Sequence, residues 1–342
     1  MSKIVTDIVS CENQIHQFFQ NQRISSLLKR SNIDKEKGIA PVTLFRMLFT
    51  LVFTGKNLYR TLEGGGNCGM AKDTVYRFLN SVHTHWRRFL LLLSSRLIRE
   101  ELRQLTGAGN MKVLIADDTL YRRNRSRQVE LLSRVFDHTD HRYYRGFRML
   151  TLGWSDGNSF LPVSCALLAS SSEKNRLVPM HSDLDRRTNG AKRRREAIRK
   201  ATDVLVEMVA EATASGIEVR HLLFDSWFAY PTIMRKLLAQ GMHTLCMLKV
   251  TEKIFYRYQG EDIHLAALYR KIRKRRGRAK ILASVRIEIG KDDKGVPIPA
   301  KIVFVRDRRA KKWLALLSTD TALSDEEIIT TYKRRWDIEV FF

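Results

Sequence analysis

Two aspartates stand at the ends of short apolar runs. Val113, Leu114, Ile115 and Ala116 lead into Asp117, Asp118 and Thr119, and Leu222, Leu223 and Phe224 lead into Asp225. Each run reads as a buried strand that delivers its last residues to a polar edge. Carboxylates supplied by separate elements are ligands that hard cations such as magnesium prefer. Two ions held about 3.5–4 Å apart can cleave a phosphodiester, one activating the attacking oxygen and the other stabilising the leaving one. A lone aspartate after a strand is ordinarily a turn or cap residue, and it is the pairing of Asp117 with Asp225 in a strongly basic chain that tips the reading toward chemistry. Asp118 competes with Asp117, since alternation along a strand turns only one of the two toward the ligand side and spacing does not say which.

The elements that must position these residues follow from periodicity. Residues 1–107 carry helical signals almost throughout. Pro41 can open a helix whose apolar surface is Val42, Phe45, Leu48, Phe49, Leu51 and Val52, with Gly55 as its stop. After a break at Gly64, Gly65 and Gly66, Asp73 can cap a short helix that exposes Lys72, Tyr76 and Arg77. A helix, a turn and a short basic helix outline a helix-turn-helix reader of DNA. Beyond Gly107 the pattern changes to strands at 113–116, 147–154 and 160–168, the last two joined by the turn residues Ser155, Asp156, Gly157 and Asn158. A helix over roughly 191–214 follows, then strand 219–224, helix 231–240 and strand 244–250. Three strands with an inner hairpin, then helix, strand, helix, strand, is the ribonuclease-H-like α/β layout, with chemistry where strand ends converge. Residues 251–318 read as a β-rich insertion that begins with a basic run at 270–278 and continues in strands near 281–289, 300–305 and 313–317. Ser324 and Glu327 form a capping box for a helix running toward Glu339. The expected organisation is an all-helical DNA-binding domain over 1–107 and an α/β catalytic domain over 111–342.

Composition narrows the partner. The 342 residues hold 61 Lys and Arg against 36 Asp and Glu, a formal net charge of +25, and such a field selects nucleic acid or an acidic membrane surface. No apolar run approaches the roughly 18 residues of a membrane span, and the first residues have no signal-peptide core. Cys11, Cys68, Cys165 and Cys246 are dispersed without a C-x-x-C pair, which argues against a zinc site or disulfide framework and suits a reducing cytoplasm. Eight Lys and Arg between Arg186 and Lys200, and Tyr121, Arg122, Arg123, Asn124 and Arg125 after Asp117, could neutralise phosphates. His138 and His141 show no ligand spacing and stay unassigned.

Residues 328–339 resemble the YREK signature of insertion-sequence-four type DDE transposases, which runs Tyr, two residues, Arg, three residues, Glu, six residues, Lys; Tyr332, Arg335 and Glu339 match it. Asp117, Asp118 and Thr119 resemble the family's first-aspartate motif, which favours Asp117, and residues 224–228 resemble its second. The resemblance implies Asp117, Asp225 and Glu339 as catalytic ligands of two magnesium ions, with manganese able to substitute. It also implies that Tyr332 and Arg335 hold DNA, and helical spacing agrees, because positions i, i+3 and i+7 share one face. Trp313 resembles a tryptophan that stacks on a flipped base, although a Trp opening an apolar strand is commonly core. The implied activity is metal-dependent cleavage at transposon ends and strand transfer into target DNA. The implied agent is a cytoplasmic, nucleoid-associated homodimer on terminal inverted repeats, away from any membrane. The signature's Lys would stand seven residues past Glu339, beyond Phe342, so the chain reads as truncated, with a fraying Glu339 helix and weak cleavage. The alternatives are a non-catalytic protein that recognises inverted repeats and a ribonuclease-H-like nuclease or resolvase.

Overall fold

The computed structural model describes residues 13–55, 57–63, 70–107, 109–276, 279–307 and 312–342. The first residues with Cys11, the break at Gly64, Gly65 and Gly66, Cys68, and the Gly277 and Arg278 end of the basic run lie outside the described residues. The chain divides into two compact units, residues 1–101 with 180–196 and residues 102–179 with 197–342. Among the described residues no helix is long and apolar enough to cross a membrane.

The first unit is helical. It contains α1 (13–21), α2 (Ile24–Arg30), α3 (Pro41–Thr54), α4 (Leu58–Glu63), α5 (Lys72–Asn80) and α6 (Trp86–Leu97). Proline's fixed φ opens α3, and Gly55 ends it at φ 63, a left-handed conformation that favours glycine. Phe19, Leu27, Leu28 and Phe89 form the core, with Phe45, Phe49 and Trp86 packed against it. Val52, expected on the apolar surface, is 78% exposed, and Leu44 takes the innermost place on α3. Ala71, not the expected Asp73, stands at the N-cap of α5; Asp73 lies inside the first turn, where its charge complements the open backbone N–H groups. The short α7 (Arg103–Leu105) carries the chain into the second unit.

The strands of the second unit form one 11-stranded mixed sheet. β1 (Val113–Arg122) pairs antiparallel with β3 (Arg142–Ser155), whose far edge carries β2 (Ser133–Asp137) and β4 (Phe160–Leu168). On its other side β1 pairs in parallel with β5 (His221–Phe224), and β5 with β6 (His243–Met247). The order β4–β3–β1–β5–β6 is the expected ribonuclease-H-like core. β2 was not foreseen, since its five residues alternate inside a charged stretch.

The helix expected over 191–214 is two helices, α8 (Asn189–Ala197) and α9 (Ala201–Ala214). Lys200 turns extended, with ψ 131, and the Ala197 carbonyl accepts the Ala169 amide at 2.6 Å instead of a helical partner. α10 (Pro231–Leu238) joins β5 to β6. Past β6 come β7 (Phe255–Tyr258), β8 (Glu261–His264), α11 (Leu265–Lys271), β9 (Ile281–Lys291), β10 (Pro297–Asp307) and β11 (Lys312–Ser318). β11 pairs antiparallel with β6 through Leu316, Leu317 and Ser318, so these strands extend the core sheet. The expected capping box of Ser324 and Glu327 opens α12 (Asp325–Lys333), and α13 (Trp336–Phe341) follows. Ile328, Ile329 and Ile338 of these two helices pack on Val113, Ile115, Leu223 and Leu245 of the sheet.

Candidate active site

Strand alternation separates the two neighbouring aspartates. Val113 and Ile115 lie under α12 and α13, and Asp117 continues their face while Asp118 turns to the other. The parallel register sets Ala116 opposite Phe224, so Asp117 and Asp225 come next on neighbouring strands. Asp225 follows the end of β5, whereas β1 does not stop at Asp117 as expected but runs on to Arg122, because its antiparallel pairing with β3 continues. Leu223 shares the α12–α13 face, and alternation carries Asp225 to the same side.

Arg335 ties Asp117 to Glu339. Asp117 is 9% exposed, and its Oδ2 accepts from Arg335 Nη1 at 3.2 Å. The same nitrogen donates to Glu339 Oε1 at 2.9 Å. Asp118 instead accepts from Arg148 at 3.4 Å, whose other terminal nitrogen donates to the Phe136 carbonyl at 2.8 Å. Asp225 Oδ1 accepts the Trp227 amide at 2.8 Å.

Burial dominates the electrostatics. It raises the Asp117 pKa to about 7; the Asp118 amide and Arg335 oppose the rise, and Glu339 and Asp225 add to it. Burial raises Asp118 as well, with Arg148 opposing. Burial disfavours the charge on Arg335, yet Tyr332, Glu339 and Asp117 together hold its pKa above the ordinary value.

The expected continuous helix to Glu339 is broken. At Arg334, Arg335 and Asp337 the backbone bonds shorten to three-residue spacing, a tight turn between α12 and α13. Around it Arg334 Nη1 donates to the Met111 carbonyl, and the Ser155 hydroxyl donates to Asp337 at 2.5 Å. Ile338 is fully buried, and the Phe341 ring lies 5.4 Å from Phe160. These contacts hold the helix that was expected to fray. Arg335 and Glu339 face Asp117, but Tyr332 packs against the core beside them. Its hydroxyl is buried beside the Met247 backbone, and burial pushes its pKa well above the phenol range.

Trp313 stacks on Tyr269 with centroids 4.6 Å apart and meets Phe304 edge-on at 5.2 Å. With Lys274, Arg275, Arg306 and Lys312 these two stacked rings line a cavity of about 570 Å³. In the first unit, α5 exposes Lys72, Tyr76 and Arg77; Lys72 lies 5.1 Å over the Tyr59 ring, and Arg77 Nε donates to the Asp73 carbonyl at 3.2 Å. Arg148, Arg334 and Trp227 escaped sequence reasoning. Only Trp227 had a signal, its place two residues after Asp225.

Among the described residues no three carboxylate, histidine or cysteine side chains converge into a closed metal site. The donor set still fits a hard divalent cation, because all three carboxylates offer oxygen and Asp117 and Glu339 already share one positive charge, that of Arg335.

The profile of the DDE superfamily endonucleases matches residues 50–287, well over half of the chain, and includes both aspartates. The chain belongs to this family. A second profile, of the archaeal ISC1217-type transposase domain, matches residues 283–342 of the endonuclease, where Trp313, Tyr332, Arg335 and Glu339 stand. No match was found among curated proteins. The endonuclease thus has the mixed α/β fold and the transposase or nuclease class of activity of its family. Such enzymes generally use divalent metal ions.

Proposed function

We propose that the endonuclease is a DNA transposase of the insertion-sequence-four type that cuts transposon ends and joins the freed 3′-hydroxyl to target DNA. The observation that carries this reading is the location of Asp117, Asp225 and Glu339 on one face of the sheet, with Arg335 between the first and the third. Asp117, Asp225 and Glu339 would hold two magnesium ions, or manganese in their place, which supply an activated water and a stabilised leaving oxygen. Arg335 would exchange its two carboxylates for a phosphate of the DNA, to which a guanidinium binds in a bidentate fork. Tyr332 would support that arginine from the core side. The basic cavity beside Trp313 would receive a DNA strand, and Lys72, Tyr76 and Arg77 of the helical unit would read the terminal inverted repeats. The working form would be a homodimer on two transposon ends, nucleoid-associated in the cytoplasm.

The test is cleavage of DNA carrying the genomic sequences that flank the coding frame, with magnesium or manganese. Asp117→Asn, Asp225→Asn and Glu339→Gln should each slow cleavage about a thousandfold or more, since several kcal/mol of charge stabilisation depend on the ligands. DNA binding, followed by gel shift, should persist in all three. Undiminished cutting by the three variants would sink the reading, and wild-type binding without any cutting would favour a DNA-recognition protein.

A further inference from the structure

A second tryptophan stands open beside the carboxylates. Trp227 is 46% exposed, and its backbone amide is the donor to Asp225. One side of the indole meets the His138 imidazole, with ring centroids 5.4 Å apart and planes at 53°. His138 sits in the turn between β2 and β3, near Asp118.

That turn is built to stay in place. Arg122 pairs with Asp137 and Asp140, both at 2.8 Å, and its guanidinium lies 4.1 Å over the Tyr144 ring. The Tyr144 hydroxyl donates to Asp140 at 2.7 Å, and Asp137 Oδ1 accepts the Thr139 amide at 2.8 Å. Phe136 supports the imidazole edge-on at 5.0 Å. Arg148, paired with Asp118, also donates to the Phe136 carbonyl and fixes the strand that leads into the turn.

We propose that Trp227 and His138 form a stacking platform for an unpaired DNA base next to the scissile phosphate, an inference that rests on the DNA-cleaving reading above. A tryptophan serving only as a strap between hairpin and strand end would be expected to bury its indole, whereas Trp227 leaves nearly half its surface to solvent. Trp313, whose sequence context resembles a base-stacking residue, already stacks on Tyr269. An exposed aromatic face beside Asp225 suits an unpaired nucleotide, because any base can stack on it. A platform held rigid before binding loses little freedom when the base arrives.

The experiment uses the full chain with calcium in place of magnesium and mixed-sequence duplexes, either blunt or with a short single-stranded overhang. The overhang carries a fluorescent base analogue that stacking quenches, and anisotropy of the same samples reports total binding. The wild-type protein should quench the analogue and prefer the overhang to the blunt end. Trp227→Ala should abolish the quench and reduce that preference about tenfold or more. Trp227→Phe, which keeps an aromatic face where the alanine variant could unfold, should retain most of both, and His138→Ala should weaken the quench. An unchanged quench in Trp227→Ala, or equal weakening on both duplexes, overturns the platform and leaves the nuclease reading standing. Failure of the wild-type protein to bind either duplex overturns the DNA reading and the platform with it.

Discussion

Burial holds the Asp117 carboxyl protonated up to about pH 7 in the folded chain, whereas an aspartate in an unfolded chain ionises near pH 4. Between these values the folded state keeps a proton that the unfolded state has released, so stability falls as pH rises through the window. Under chelation, the thermal midpoint of the wild-type protein should therefore decline from about pH 5 to about pH 8, and Asp117→Asn should flatten that decline. Added divalent ion should restore stability at the alkaline end, because a cation takes the proton's place. Scanning calorimetry checks both, and equal slopes for the two proteins would refute the assignment. At this scale strand spacing left Asp117 and Asp118 undivided, and only the first-aspartate motif favoured Asp117, because alternation needs a reference face and the reference is the remote pair Ile328 and Ile338. It also put Tyr332 on a DNA-facing stripe, since helical spacing does not register the tight turn after Lys333.

α13 spans only Trp336–Phe341, too short to stand on helical propensity, so it depends on what it packs against. Ile338 is its one fully buried side chain, lying in the cluster with Val113 and Ile115. Ile338→Ala should cost about 2–5 kcal/mol and Ile338→Val about 0.5–1.5 kcal/mol. The alanine variant should also lose cleavage beyond what its lowered thermal midpoint explains, because Arg335 and Glu339 ride on the loosened segment. Thermal melts and cleavage rates at one temperature separate the two effects, and full activity in a destabilised Ile338→Ala would uncouple the anchor from the site. Elements specified by neighbouring residues were legible, such as the Pro41 start, the Gly55 stop and the Ser324 capping box. The breaks at Lys200 and Arg334 were not, because Ala169 and Met111, far away in the chain, provide the partners that make them.

The whole chain is strongly cationic, with a formal charge of +25. If it neutralises six to ten phosphates, its DNA affinity should fall by about 10³–10⁵ between 50 and 200 mM salt. Titrations followed by anisotropy give that slope, and an affinity insensitive to salt would remove the electrostatic account. The order of strands and helices was readable because each carries its own periodicity. How the strands after β6 attach was not readable, since the pairing of Leu316 with Met247 joins residues with no local signal for each other.

That pairing has a consequence for how the molecule can vary. β11 occupies the side of β6 that β5 does not, pairing with Leu245, Cys246 and Met247, of which Leu245 and Cys246 also pair with β5. Without β11 the same residues would present an open row of N–H and C=O groups, a template on which a second chain could add a strand. The segment from β7 to β11 is therefore a seal as well as an appendage. The β9–β10 hairpin can lengthen or shorten at its turn, but excising the segment would leave a self-associating remnant in place of a smaller enzyme.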